Sequence, residues 1–470
     1  MSAPLSLHPD RFFPTDEGSR NIARRLFALA APLPIVSPHG HTDPAWFADN
    51  HCFSDATSLI LTPDHYLFRM LYSQGIKLGA LGISDGSGEV ATARNAWRCF
   101  ATNYHLFRGT PSRIWLDHLF GEVFGMQVRL DAQSADHHFD TIGDALRTDA
   151  FRPRALLDRF NIECIVTTEG ALDELLHHKT LRAAGWGQRV LPTFRPDDVV
   201  DPDRAEFANN VAQLATLTGE TTSRWSGYLN GLRARRDFFR AHGATATDHG
   251  HPTARTANLS PRESQQLLDV CLRGTASPDE REMFRAQLLT EMARMSIDDG
   301  LVMQIHPGSQ RNHNLQLFAR YGRDKGADIP TPTNYVQALK PLLDTFGNEP
   351  NLQIILFTLD ESTYSRELAP LAGHYPSLKL GPPWWFHDSV EGMLRFRRQT
   401  TETTGFYNTV GFNDDTRALL SIPARHDLAR RIDCAYLAEL VATHRLGEDE
   451  AAELIVDLSY SLAKKAYRLS

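Results

Sequence analysis

The sequence predicts an α/β protein built as a closed, parallel (β/α)8 TIM-like barrel. Three observations carry that expectation. Short β-branched runs number eight along the 470 residues, helical stretches separate them, and titratable side chains collect just beyond their C-terminal ends. A chain of this length, 42% hydrophobic and 23% charged, can bury a large core as a soluble globular protein, either as two or three domains or as one barrel with insertions.

Taken in order, residues 18–31 (GSRNIARRLFALAA) form a helix with Ile22, Leu26 and Leu29 on one face, leading into a first strand at 35–38. A mostly helical insertion follows over 45–160. Its glycine-rich stretch at 79–89 has no strand running into it and no GK[ST] after it, so it is a plain loop. The remaining strands are expected at 163–167, 190–194, 244–247, 301–305, 352–358, 378–380 and 406–412. Between them, 279–296 is a helix whose Phe284, Leu288, Met292 and Met295 make one core stripe. Residues 427–468 give two helices separated near Gly447. The expected organisation is thus 1–44 as N-terminal helix and first strand, 45–160 as helical lobe, 161–426 as the rest of the barrel, and 427–470 as C-terminal helices.

Composition excludes several classes of function. A net charge of −8 and a pI near 6.2 give no basic field for nucleic acid. Five scattered cysteines without a CxxC pair argue against a disulfide framework or thiolate zinc site and fit a reducing cytoplasm. The N-terminus lacks an apolar signal region, and the apolar run at 26–36 is cut by Pro32 and Pro34, so no export signal or membrane span is expected. Nothing in the helix patterns decides for or against a homo-oligomer.

The chemistry centres on 34–44, PIVSPHGHTDP. In an extended segment residues i and i+2 share a face, so His39 and His41 can converge on one divalent ion. Later strand ends supply further polar groups: Arg195 and Asp197, Asp248 and His249, His306 with Arg311 beyond it, the run Trp384 to Asp388, and Asn413 to Arg417. Two imidazoles and one carboxylate leave open positions on a metal, as catalysis requires. The chosen ligands are His39, His41 and Asp415, although spacing alone does not separate Asp415 from Asp414 or Asp388. His306 is either a further ligand or a hydrogen-bond donor behind the ligands.

HGHTDP at 39–44, DHY at 64–66, FRPD at 194–197, HPGSQRN at 306–312, WWFHDS at 384–389, and DDTR with ARH at 414–426 together resemble the uronate (glucuronate) isomerase family of the amidohydrolase superfamily. The resemblance runs in register along nearly the whole chain. It implies a barrel of the metal-dependent hydrolase type and a divalent metal, commonly zinc, on His39, His41 and Asp415. It further implies site roles for His65, Tyr66, Asp248 and His306, and substrate-binding roles for Arg195, Arg311, Arg417 and Trp385. The implied reaction interconverts D-glucuronate with D-fructuronate and D-galacturonate with D-tagaturonate, small hexuronate substrates, by proton transfer through an enediol. Departures from the family pattern are Glu169-Gly170 after strand 2, His313 among asparagines, and Ile422. Two alternatives remain at this point: a metal-dependent hydrolase of a sugar-acid lactone, and a non-catalytic sugar-acid binder.

Overall fold

The computed structural model describes residues 2–86, 88 and 90–469. Seven parallel strands curl into one sheet in sequence order: β1 (Ile35–Ser37), β2 (Ile162–Gly170), β3 (Val190–Arg195), β4 (Ala246–His249), β5 (Val302–Ile305), β6 (Ile354–Leu356) and β7 (Leu378–Leu380). They are short and largely buried on both faces because helices cover the outside and the barrel interior is filled. Of the loop expected at 79–89, Ser87 and Glu89 lie outside the described residues.

The eighth strand expected at 406–412 does not form a ladder. It survives as a single bridge between Leu380 and Thr409, where Leu380 N–H donates to Asn408 O and Val410 N–H to Leu380 O. Two features break it. Residues 406–408 turn, and Gly411 takes a left-handed φ of 74° with Leu458 O only 2.8 Å from where a Cβ would stand, so a side chain is excluded there. Between the two ends of the barrel the chain instead joins through His41 N–H donating to Thr416 O at 3.0 Å.

Local sequence accounts for the helices that frame the site. Asp43 caps the helix Pro44–Asp49 by accepting from Ala45 N, with Pro44 in the first helical position. Asp64 caps His65–Ser73 by accepting from Tyr66 N at 2.8 Å, which starts that helix on the His-Tyr pair. The helices from Pro44 to Arg159 share an apolar core around Trp97, Phe100 and Phe120 that runs on into Ile35, Ile162 and Ile165 of the sheet. Pro278–Asp299 begins in a capping box made by Ser277 and Glu280 and buries Phe284, Leu288, Met292 and Met295, the expected stripe.

The first helix, Glu17–Ala30, is rotated from its expected face. It buries Ala23, Leu26 and Ala30 and leaves Leu29 exposed, because small residues let it approach the helix Ile422–Ala442 closely. That C-terminal helix starts before residue 427, and Gly447 N-caps the next one, Glu448–Val456.

Glu169, where the sequence departs from the pattern it otherwise resembles, is enclosed near the end of β2. Its Oε2 has no hydrogen-bond partner, and burial pushes its carboxyl up to about 8. The neighbouring His178 stays neutral, lowered to about 4 by burial, with Nε2 2.9 Å from Thr167 Oγ1. Because the folded state binds the Glu169 proton more tightly than the unfolded chain does, stability falls as pH rises from about 4.5 toward about 8. Glu169→Gln is therefore expected to stabilise the protein by about 3 kcal/mol at pH 7. Denaturant titrations should show the advantage widening from pH 5 to pH 8, and a constant gap would refute the buried neutral acid.

Candidate active site

A cavity of about 920 Å³ opens at the C-terminal ends of the strands. At its floor lie His39 and His41, just beyond β1, and Asp415, beyond the broken eighth strand. His39 Nε2 is 3.7 Å and His41 Nε2 3.2 Å from Asp415 Oδ1. Two bonds of about 2.1 Å at a tetrahedral angle put ligand atoms about 3.4 Å apart, so the three groups suit one divalent ion. Electrostatics agree. Burial lowers His39 to about 4 and keeps it a neutral donor, whereas Asp415, which burial alone would raise, is pulled below the usual carboxylate range by His39 and His41. The Gln304 amide lies 3.4 Å from His39 Nδ1, on the side of the ring away from the carboxylate.

A second layer stands behind His39. The His306 ring stacks between His39 and Phe357, at 4.9 and 3.9 Å. Its Nδ1–H donates to Asp248 Oδ1 at 2.7 Å, and its Nε2 is buried without a hydrogen-bond partner. His39, Asp248 and His306 thus form a second cluster with metal-ligand spacing. Asp248, 1% exposed, also faces Arg195, whose Nη1 is 3.0 Å from its Oδ2 while Nε donates to Asp197 at 2.8 Å. Burial works against both charges, yet the pairing wins: Asp248 is held well below its usual range and Arg195 above its own.

The helical segment forms the opposite wall. His65 stacks on Tyr66 at 4.6 Å and meets Trp385 edge-on at 5.6 Å. Burial, helped by Arg417, lowers His65 to about 3, and burial raises the Tyr66 phenol well above its usual range, so at neutral pH both are uncharged. Trp385, at a left-handed φ of 55°, carries the Arg311 guanidinium over its ring at 5.2 Å.

His39, His41, His65, Tyr66, Arg195, Asp248, His306, Arg311, Trp385, Asp415 and Arg417 all line this one cavity, whereas His249, Asp388, Asn413 and Asp414, which the sequence also offered at strand ends, do not. What sequence did not reveal is how they are partnered. Arg311 pairs with Asp328 at 2.9 Å and Arg417 with Asp324 at 3.4 Å, both aspartates belonging to the excursion between β5 and the helix Val336–Phe346. Asp414 falls outside both ligand clusters, and its Oδ2 is instead 3.0 Å from His426 Nε2. Asp388 pairs with Arg425. These two pairings separate Asp415 from the carboxylates that spacing could not distinguish from it, and the ARH motif was the signal that could have found them.

Residues 15–467 match the family model described as glucuronate isomerase. The chain belongs to the glucuronate isomerase family. Among relatives, the uronate isomerase of Xanthomonas axonopodis pv. citri is 64% identical, covering 100% of both chains. The crystal structure of glucuronate isomerase from Caulobacter crescentus matches with a TM-score of 0.98 at 60% identity over 99% of this chain and 98% of that one. A more distant uronate isomerase structure, from Thermotoga maritima, matches with a TM-score of 0.92 at 26% identity over 98% and 99%. The protein is an aldose–ketose isomerase of this family, and neither a lactone hydrolase nor a non-catalytic binder is favoured. The paired histidines and aspartate are a candidate divalent-metal site, and among the described residues no helix is long and apolar enough to cross a membrane.

Removing the Asp248 charge would leave buried His306 without its carboxylate acceptor and Arg195 with Asp197 alone. Asp248→Asn is expected to destabilise the fold by about 3 kcal/mol, the usual cost of breaking a buried pair by removing one partner. Chemical denaturation measures it, and an unchanged midpoint would contradict the pairing.

Proposed function

We propose that this isomerase interconverts D-glucuronate with D-fructuronate and D-galacturonate with D-tagaturonate, with Asp415 as the proton carrier between C2 and C1. The observation that carries the reading is the convergence of His39, His41 and Asp415 under Tyr66 and a set of arginines in a single cavity. A divalent ion, zinc in this proposal, would be held by His39, His41 and Asp415 and would supply positive charge where enediolate charge develops.

The chain's own groups do the rest. The open-chain substrate presents its C1 aldehyde and C2 hydroxyl to the floor of the cavity. The Asp415 carboxylate takes the C2 proton as electrons move toward O1, and Tyr66, protonated at neutral pH, gives its phenolic proton to O1. The phenolate then takes the O2 proton while Asp415 returns its proton to C1. Both carriers end as they began, and no other reactant is consumed. His65, neutral and stacked on Tyr66, orients the phenol. Asp248 and His306 hold the environment of His39 fixed.

The far end of the substrate is a carboxylate, which the planar fork of arginine grips through two parallel hydrogen bonds. Arg195, Arg311 and Arg417 all line the cavity. Arg195 already spends Nε and Nη1 on Asp197 and Asp248. Arg417, with the longest ion pair and 41% side-chain exposure, is the freest of the three, and Arg311 stands beside it over Trp385. In this reading the helical segment 45–160 serves as a lobe over the mouth of a barrel formed by 1–44 and 161–426, braced by the helices of 427–470. Five free cysteines support a cytoplasmic site of action, and a homo-oligomer is compatible with it.

An assay that follows ketouronate formation from D-glucuronate and D-galacturonate tests the proposal. Asp415→Asn is expected to lower kcat by about 1,000-fold, and Arg417→Met to raise KM by about tenfold with a smaller change in kcat. Near-normal turnover by Asp415→Asn would remove it as the proton carrier. Dialysis against a chelator should lower activity in parallel with the metal content, and added zinc should restore both.

A further inference from the structure

Arg425 takes no part in the chemistry above, yet it lines the cavity and is committed to several partners at once. It sits in the first turn of the helix Ile422–Ala442, with its side chain 2% exposed. Its guanidinium pairs with the Asp388 carboxylate, donates from Nη1 to the main-chain carbonyl of Asp414 at 3.3 Å, and donates from Nε to Ser421 Oγ at 3.2 Å. One face lies 3.7 Å from the centre of the Trp115 ring and 5.6 Å from that of Tyr66. Trp115 and Tyr66 meet edge to face at 5.7 Å. One side chain therefore ties together the segment after β7, the backbone before Asp415 and a helix of the 45–160 segment.

The next residue completes the grip. His426 Nε2 is 3.0 Å from Asp414 Oδ2, so consecutive helix residues hold the carbonyl and the carboxylate of Asp414. The following residue, Asp415, takes a left-handed φ of 38°, a conformation that non-glycine residues keep only when their surroundings impose it.

We infer that Arg425 is a positioning residue for the isomerase reaction, holding the Asp415 carboxylate on the two imidazoles through the Asp414 carbonyl and holding the Tyr66 ring over the same cavity through Trp115. The inference rests on the roles proposed above for Asp415 and Tyr66. Only a guanidinium meets all these demands at once. Its plane stacks on indole while its N–H groups point in three directions, whereas an ammonium on a flexible stem can satisfy Asp388 without stacking or bridging.

The test uses the full-length protein and measures kcat and KM for D-glucuronate in Arg425→Met, Arg425→Lys and Arg425→Ala, with circular dichroism to confirm folding. Arg425→Met is expected to lose about 100-fold in kcat with KM within about threefold, because the proton carriers are displaced while the carboxylate grip remains. Arg425→Lys should recover less than about a tenth of the loss. Guanidine at millimolar concentration should raise kcat of Arg425→Ala about tenfold, entering from the cavity that Arg425 lines, and should leave the wild type unchanged. Should Asp388, left buried without its cation, prevent Arg425→Met from folding, the Arg425→Met/Asp388→Asn double variant carries the same expectation. A folded variant with kcat within about threefold of wild type, or a loss confined to KM, overturns the inference. Asp415→Asn measured alongside separates the two levels. If it loses turnover while Arg425→Met does not, the positioning role fails and the proton-transfer reading stands; if it keeps turnover, the reading beneath the inference fails.

Discussion

The approach of the Asp415 carboxylate to the imidazoles of His39 and His41, at 3.2 and 3.7 Å, joins groups from opposite ends of the chain, and the architecture serves that meeting. Uncompensated, it would be unfavourable. His39 and Asp415 are enclosed while His41 is partly exposed, so the carboxylate is held below its usual range by the imidazoles against it, and burial lowers His39 to about 4. Those two conditions are the ones a divalent cation needs in its ligands: a bare ring nitrogen and an ionised oxygen.

The break in the eighth strand belongs to the same arrangement. A regular ladder through 412–416 would fix these residues in an alternating extended pattern with successive side chains on opposite faces. The segment instead turns at Gly411 and reaches Asp415 in a left-handed conformation, with Asp414 directed to His426 and its carbonyl to Arg425. Hydrogen bonds from side chains replace those of a strand partner, and the single bond from His41 N–H to Thr416 O draws this segment against the end of β1. Behind His39 a similar substitution operates, in which the Arg195, Asp248 and His306 chain exchanges the solvation of each charge for a fixed partner.

Much of this was legible in the sequence because it depends on short-range pattern. The i, i+2 spacing of His39 and His41 needs only a strand, and six of the seven regular strands carry β-branched residues between helices, Leu378–Leu380 (LKL) being read from its apolar ends alone. The eighth misled for a specific reason. FYNTVGF has the composition of a strand, and only the packing of Leu458 O against Gly411 shows that the glycine marks a bend. The helix face of Glu17–Ala30 was misassigned for a related reason: alanines at close helix contacts bury as fully as leucines do, and a hydrophobic stripe does not weigh them. Partners of the arginines were hidden because Asp324 and Asp328 reach the site from an excursion whose path sequence does not give. The Arg425 pairing with Asp388 spans 37 residues and is fixed only by how the C-terminal helix packs.

Crystals of the protein as purified, examined by anomalous scattering at the absorption edge of the metal found in them, test the central claim most directly. The account predicts one strong peak within about 2.3 Å of His39 Nε2, His41 Nε2 and an Asp415 oxygen. A peak held by His39, Asp248 and His306 instead, or an ion bound away from Asp415, would contradict it.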